Sequence, residues 1–201
     1  MDAPNAPVRV ALGERSYPIH IGEGLLERAG EVLGPHLRGR RALIVQDEAV
    51  AAPWGRILYR EVAEHVTHLA VCAVPQGEPS KSPHHLKRVW DALAAERIGR
   101  DGVLLALGGG VVGDLAGFAA ATWHRGIDYV QVPTTLLAMV DSSVGGKTGI
   151  NHESGKNLVG AFWQPRAVLA DPRALRTLPA REVRSGMAEV VKYGVIADAE
   201  F

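Results

Sequence analysis

The sequence predicts an α/β fold built on a doubly wound parallel sheet, followed by the start of a mostly helical second domain. Three observations carry this expectation. Short apolar runs alternate with helical patterns between residues 42 and 133. Two of those runs, 42–46 and 103–107, are near-continuously apolar, as strands covered on both faces must be. A glycine-rich turn, Gly108 to Gly113, joins one such strand to a helix.

The elements follow in order. Residues 8–12 and 17–21, separated by Gly-Glu-Arg-Ser, read as a hairpin. A helix is expected over 24–33, a buried strand over 42–46, a helix near 54–65 and a strand over 69–74. The next helix spans about 82–97, with Ser82 as N-cap and Pro83 at the first helical position. A strand over 103–107, a helix over 114–122 and a strand over 129–132 complete a βαβα order that calls for parallel pairing. Residues 134–165 are rich in Gly, Ser, Thr and Asn and carry no strand signal. A short strand at 167–170, a prolyl junction at 171–179 and a helix over 180–193 follow. The expected division is 1–175 for the α/β domain and 176–201 for the beginning of the helical one.

Composition narrows the function. The chain has 201 residues, with 22 basic against 22 acidic side chains and a formal net charge of +0. Such a balance offers no bulk field for nucleic acid or an anionic membrane, so binding must be local. The lone cysteine, Cys72, excludes an internal disulfide framework and suits a reducing compartment. No stretch reaches the ~18 apolar residues of a membrane span and no leader pattern opens the chain, so a cytoplasmic location is expected.

Gly108, Gly110 and Gly113 form G-x-G-x-x-G between a strand and a helix, the context in which backbone N–H groups approach a pyrophosphate. This makes the sheet Rossmann-like. A glycine turn needed only for packing is the alternative. The acidic residue that should end the next strand is misplaced, because Asp128 begins it. Asp47 and the loop Gly77–Lys81, after carboxyl ends of other strands, are better placed for a nucleotide. Gly146-Lys147-Thr148 is no P-loop, since Asp141 stands where a Walker loop needs glycine. What remains there is a dense polar set: Asp141, Ser142, Ser143, Lys147, Thr148, Asn151, Lys156 and Asn157. Four of the chain's five lysines, Lys81, Lys147, Lys156 and Lys192, fall in these segments, where a compact amine suits phosphate contact. Glu189 and Lys192 share a helix face three residues apart, which by itself is equally an ordinary surface pair. No metal-spaced histidines and no hydrolase elbow are present.

Taken together, Leu107-Gly-Gly-Gly-Val-Val-Gly-Asp114, Arg125-Gly126, Pro133-Thr-Thr-Leu-Leu137, Val140-Asp-Ser-Ser-Val-Gly-Gly-Lys-Thr148, Gly155-Lys-Asn-Leu158 and Ser185-Gly-Met-Ala-Glu-Val-Val-Lys-Tyr193 resemble the 3-dehydroquinate synthase family. The resemblance runs from about Val8 to the last residue. It implies a lyase of the shikimate pathway that converts 3-deoxy-arabino-heptulosonate 7-phosphate to 3-dehydroquinate, using NAD and a divalent metal, zinc or cobalt. It implies that Asp47, Glu78, Lys81, Gly110, Val111, Val112, Gly113, Asp114, Thr134, Thr135, Lys147, Lys156 and Thr177 contact NAD. Asp141, Lys147, Asn157 and Lys192 would line the substrate pocket, Arg125 would serve the neighbouring subunit of a homodimer, and Glu189 would be a metal ligand. The family's two histidine ligands belong to a C-terminal helical domain, so the resemblance implies a fragment that is inactive alone. Related sugar-phosphate cyclases are the nearest competitors, and the run Ser142 to Thr148 favours the quinate-forming branch over them; a metal-dependent alcohol or glycerol dehydrogenase and a noncatalytic nucleotide-binding module are the other readings.

Overall fold

The computed structural model describes residues 6–198 and 200–201. Seven strands form one sheet: β1 (Val8–Val10), β2 (Tyr17–Ile21), β3 (Arg41–Asp47), β4 (His68–Val74), β5 (Val103–Gly108), β6 (Asp128–Pro133) and a later strand, β9 (Val168–Ala170). Their spatial order is β1-β2-β9-β6-β5-β3-β4. All neighbours pair in parallel except β1 and β2, which form the expected hairpin.

Two apolar layers cover the sheet, as a near-continuously apolar strand requires. On one face Leu43, Val45, Leu104 and Ala106 pack under α3 (Pro83–Ala95) and α4 (Gly110–Thr122). On the other, Ala42, Ile44, Leu105 and Leu107 pack under α1 (Ala29–Leu37) and α2 (Arg56–Ala63). Alternation along β3 and β5 thus feeds both cores from the same strands.

The structure shifts several expected boundaries. The helix foreseen over 24–33 opens instead as a 3-10 turn, Leu25–Arg28, and continues as α1 to Leu37. Burial of Leu25 and Leu26 fixes that turn against the sheet and overrides helical spacing. The helix foreseen from residue 114 begins four residues earlier, at Gly110, so Gly110 to Gly113 are its first turn rather than a loop before it. The largest correction concerns residues 134–165, where a strand-free segment was expected. There β7 (Lys147–His152) and β8 (Gly155–Phe162) form an antiparallel ribbon. Gly149 lies opposite Gly160, and a Cβ on Gly160 would stand 2.1 Å from the Thr148 carbonyl oxygen. The glycines that read as loop are what let these backbones close up. Thr148 and Ile150 fasten the ribbon to α4, Ile150 by joining the core beneath that helix and Thr148 by filling space that a Cβ on Gly117 would occupy.

The last helix, α5 (Ala180–Ala197), extends past the expected end at 193. It leans on the segment after β6 through Gly186, where a Cβ would meet the Leu136 side chain at 2.6 Å. The expected division between 175 and 176 falls inside a 3-10 helix, Pro172–Thr177, whose Ala174 is buried in the second core.

Candidate functional site

In the sheet order, β3 is flanked by β4 and β5, so the chain winds one way into β4 and the other way through β5 and β6. The crevice outside the carboxyl ends of β3 and β5 is therefore the topological switch point, where ligands of open α/β sheets bind. Asp47 ends β3, and Gly108 ends β5. A cleft of about 830 Å³ opens there and brings together Asp47, Glu78, Lys81, Gly110, Val111, Asp114, Thr134, Thr135 and Thr177.

Its floor is the N-terminus of α4. Gly109 caps that helix without a side chain, and the Val112 and Gly113 N–H groups both turn back to the Gly109 carbonyl at 3.1 Å. The Gly110 and Val111 N–H groups are the first-turn donors that a helix leaves for an outside acceptor. A Cβ on Gly110 would lie 2.9 Å from Ser142 Oγ, so glycine keeps this approach open. Gly113 answers to packing instead, for a Cβ there would meet Gln131 Oε1 of β6 at 2.5 Å. Val112 is buried, and neither it nor Gly113 lines the cleft.

A second cavity of about 610 Å³ adjoins the first and shares Asp114 and Ser142 with it. It gathers Asp141, Lys147 and Asn157 from the polar segment around the ribbon. Ser142 Oγ is buried without any hydrogen-bond partner among the described residues, beside the α4 N-terminus. A buried hydroxyl left unsatisfied costs free energy that a ligand spanning the two cavities would recover.

Between the cavities lies a chain of side-chain bonds. Lys81, 5% exposed, donates to Asp114 Oδ2 at 2.5 Å and also to Asn157 Oδ1. Asn157 donates its backbone N–H to Asn151 Oδ1 at 2.9 Å, and Asn151 Nδ2 donates to Glu78 Oε1 at 2.8 Å. Burial raises the Asp114 carboxyl above its ordinary pKa, although the Lys81 ammonium pulls the other way. Burial likewise raises Asp47, opposed by the Ala49 N–H that its side chain caps. Asn151 carries this chain, although the sequence marks it only as one of many polar residues. The signal that marks it, a β-bulge between Ile150 and His152, exists only once the ribbon is seen.

Besides Val112 and Gly113, four expected site residues line neither cavity. Lys156 is exposed on β8. Arg125 sits at the far end of α4 from the glycine turn, exposed and with φ of 69°. Glu189 and Lys192 pair with each other on α5, the ammonium also lying 4.7 Å from the Tyr193 ring centroid. Tyr193 Oη reaches the Val140 carbonyl, next to Asp141, which holds this face of α5 near the second cavity.

The donor sets differ in what they suit. The α4 N-terminus, the orphaned Ser142 hydroxyl and Asp47 at the switch point fit a nucleotide with its pyrophosphate on the helix. A metal is not accommodated in the same way. No three His, Cys, Asp or Glu side chains converge among the described residues, and Glu189 supplies at most one ligand while paired with an ammonium. No helix of the described residues is long and apolar enough to cross a membrane.

Comparison with known proteins agrees with this geometry. Structurally, the chain superposes on 2-deoxy-scyllo-inosose synthase in complex with carbaglucose-6-phosphate, NAD+ and Co2+, with a TM-score of 0.85 and 31% identity over 92% of this chain and 50% of that one. ValA, the 2-epi-5-epi-valiolone synthase of Streptomyces hygroscopicus with NAD+ and Zn2+ bound, gives 0.84 and 38% over 95% of this chain and 52% of that one. An iron-containing alcohol dehydrogenase, at 19% identity and a TM-score of 0.72, shares the fold. In sequence, the 3-dehydroquinate synthases of Pseudomonas fluorescens (strain Pf0-1) and Azotobacter vinelandii are each 54% identical over 194 residues, 96% of this chain and 52% of the relative. The chain thus spans about half the length of the curated relatives it matches. Residues 71–185 match the family model described as 3-dehydroquinate synthase N-terminal, and with the switch-point cleft they establish that the chain belongs to the 3-dehydroquinate synthase family.

Proposed function

We propose that this chain is the nucleotide-binding part of an enzyme that converts 3-deoxy-arabino-heptulosonate 7-phosphate to 3-dehydroquinate and phosphate. The observation that carries the reading is the pair of adjoining cavities sharing Asp114 and Ser142, one floored by a helix N-terminus and the other holding Lys147 and Asn157. A nucleotide in the first and a sugar phosphate in the second would meet at those two residues. The curated relatives carry the name of this activity.

In this reading the Gly110 and Val111 N–H groups hold the pyrophosphate of NAD, and Asp47 accepts from ribose hydroxyls. Thr134, Thr135 and Thr177 supply hydroxyls along the same cleft. NAD, when bound, supplies reversible hydride transfer at a ring carbon of the sugar. The exposed Lys147 ammonium and the Asn157 amide orient that sugar, and Asp141 accepts from its hydroxyls. Lys156 is assigned to the nucleotide, and Lys192 to the substrate, on the family resemblance alone. Arg125, which lines neither cavity of its own chain, is assigned to the phosphate site of a second copy in a homodimer. Residues from 176 onward begin the helical domain, with Glu189 as one metal ligand. The setting that suits such an enzyme is the cytoplasm.

The test joins this chain to the second half of the Pseudomonas fluorescens relative and measures phosphate release from the heptulosonate phosphate with NAD and zinc. Turnover without net NADH is expected from the joined protein, and loss of most of it in Lys147→Ala. Net NADH from glycerol would instead identify a polyol dehydrogenase. Calorimetric NAD binding with no turnover of either kind would leave a noncatalytic nucleotide module.

A further inference from the structure

Asn151 occupies a position that neither cavity explains, because it lines neither of them. Between the pairs Ile150–Val159 and His152–Gly155 the β7–β8 ladder shifts register, so Asn151 alone on β7 faces residues 156–158 of β8, and the bulge with its extra residues lies on β8. Bulges re-aim side chains, and here the bulged residues include Asn157, while the Asn151 backbone N–H turns out of the ribbon. The Asn151 N–H donates to the Lys81 carbonyl at 2.9 Å. Its side chain reaches in two directions at once, accepting from the Asn157 N–H at 2.9 Å and donating to Glu78 Oε1 at 2.8 Å.

The chemistry of the partners fixes both ends. A carboxylate only accepts, so Asn151 Nδ2 must face Glu78, and Oδ1 must face the Asn157 N–H. Asn157 is held with φ of 57°, the left-handed region that non-glycine residues enter only when their surroundings impose it. Its own Oδ1 is committed to the Lys81 ammonium, which leaves the Nδ2 donors for the second cavity. Glu78 lines the first cavity and Asn157 the second. One side chain therefore sets the orientation of a residue in each.

We propose that Asn151 is a positioning residue that couples the two cavities, so that a nucleotide engaging Glu78 in the first changes the presentation of Asn157 to the ligand of the second. The inference rests on the reading of the first cavity as the NAD site. Movement of Glu78 toward a ligand must break or pull the Asn151 amide, and the amide cannot turn without releasing the Asn157 N–H. The left-handed turn at Asn157, strained without that bond, is the element that responds.

The experiment is a titration of NAD into the isotope-labelled chain, followed by the amide resonances of Gly110, Asn151 and Asn157, backbone and side chain. In the wild type all three should shift with one NAD dissociation constant. Asn151→Asp keeps an acceptor for the Asn157 N–H but loses the donor to Glu78 and sets two carboxylates face to face. In it Gly110 should still shift, with affinity weakened by about tenfold or less, while the Asn157 response is lost. Asn151→Ala gives the same separation with both bonds removed, and Asn151→Gln, which retains both groups, should restore part of the Asn157 response. Persistence of the full Asn157 shift in Asn151→Asp overturns the coupling, as does a wild-type titration in which Gly110 moves and Asn157 does not. A titration in which Gly110 does not move overturns the NAD site itself, and the coupling with it.

Discussion

Lys81 and Asp114 form a 2.5 Å ion pair in which the ammonium is almost wholly buried, Lys81 lining the first cavity and Asp114 both. Lys81 belongs to the loop after β4 and Asp114 to the second turn of α4, so the pair ties two elements that are far apart in the chain. A buried charge of this kind is tolerated because every partner it meets is an acceptor.

Removing the ammonium should therefore leave Asp114 as an uncompensated buried carboxyl. Lys81→Met is expected to cost about 3 kcal/mol or more in urea unfolding at neutral pH. The pH dependence follows from Asp114, whose folded pKa is raised by burial against the opposing pull of Lys81. A raised carboxyl pKa means that the folded state holds the proton more tightly, so ionisation costs stability as pH rises. Without Lys81 that cost grows, and the variant should be hurt more at pH 7 than at pH 4. An equal loss at both would place the damage in packing rather than in the pair.

Gly110 separates packing from binding. Alanine in a first helical turn is intrinsically better than glycine by about 1 kcal/mol, which offsets much of the 2.9 Å approach to Ser142 Oγ. Gly110→Ala should thus leave the melting temperature nearly unchanged while weakening calorimetric NAD affinity by about tenfold or more. Undiminished affinity would remove the pyrophosphate from this turn.

At Gly160, which also lines the second cavity, the expected effect is first on folding. An added methyl would fall on the Thr148 carbonyl oxygen, which backbone pairing across the ribbon holds in place. Gly160→Ala should destabilise by about 2 kcal/mol or more despite its better strand propensity. A neutral result would mean that the ribbon opens freely at this register.

The same glycines explain what the sequence could and could not convey. Strands 42–46 and 103–107 declared themselves through apolar content, because burial on both faces is a composition requirement. The β7–β8 ribbon has no such signature, since its pairing depends on Gly149 and Gly160 lacking side chains. Gly110 was legible as a ligand contact because its motif has fixed flanks, but the onset of α4 at Gly110 rather than 114 was hidden by glycine's poor helix propensity. In the sequence Lys81 and Asn157 stand as separate ligand contacts. Their hydrogen bond joins residues 76 positions apart and is visible only in three dimensions.

At the opposite, amino-terminal end of the parallel strands, Asp128 at the start of β6 offers a contrasting titration. Burial alone would raise its carboxyl, but hydrogen bonds from Arg166 at 2.6 Å and Arg40 at 2.9 Å more than offset this and hold it below the ordinary range. A depressed pKa contributes stability that is present at neutral pH and lost as pH falls through the folded value. Asp128→Asn should lower stability by about 1 kcal/mol at pH 7 and flatten the decline below about pH 4. An unchanged acid slope would assign that decline to other carboxyls.

Ser142 provides the sharpest separation of the chain's stability from its binding. Its hydroxyl is buried without a partner among the described residues, and such a group opposes folding, because the hydrogen bonds it made to water in the unfolded chain are not replaced. Ser142→Ala removes that unsatisfied atom and little volume, so the variant without ligand should be as stable as the wild type or more so by about 1 kcal/mol. Ligand should reverse the order. Ser142 lies beside Gly110 and belongs to both cavities, so a nucleotide phosphate on the α4 N-terminus is the natural partner for the hydroxyl. Losing that bond to an anionic oxygen should weaken NAD affinity by about tenfold. At saturating NAD the wild type should then gain more in melting temperature than the variant, because stabilisation by a ligand scales with the logarithm of its concentration over its dissociation constant. Two measurements, melting curves with and without NAD, decide the matter. If Ser142→Ala is destabilised without ligand and binds NAD as tightly as the wild type, the hydroxyl serves the fold, and the two cavities do not share a ligand at this residue.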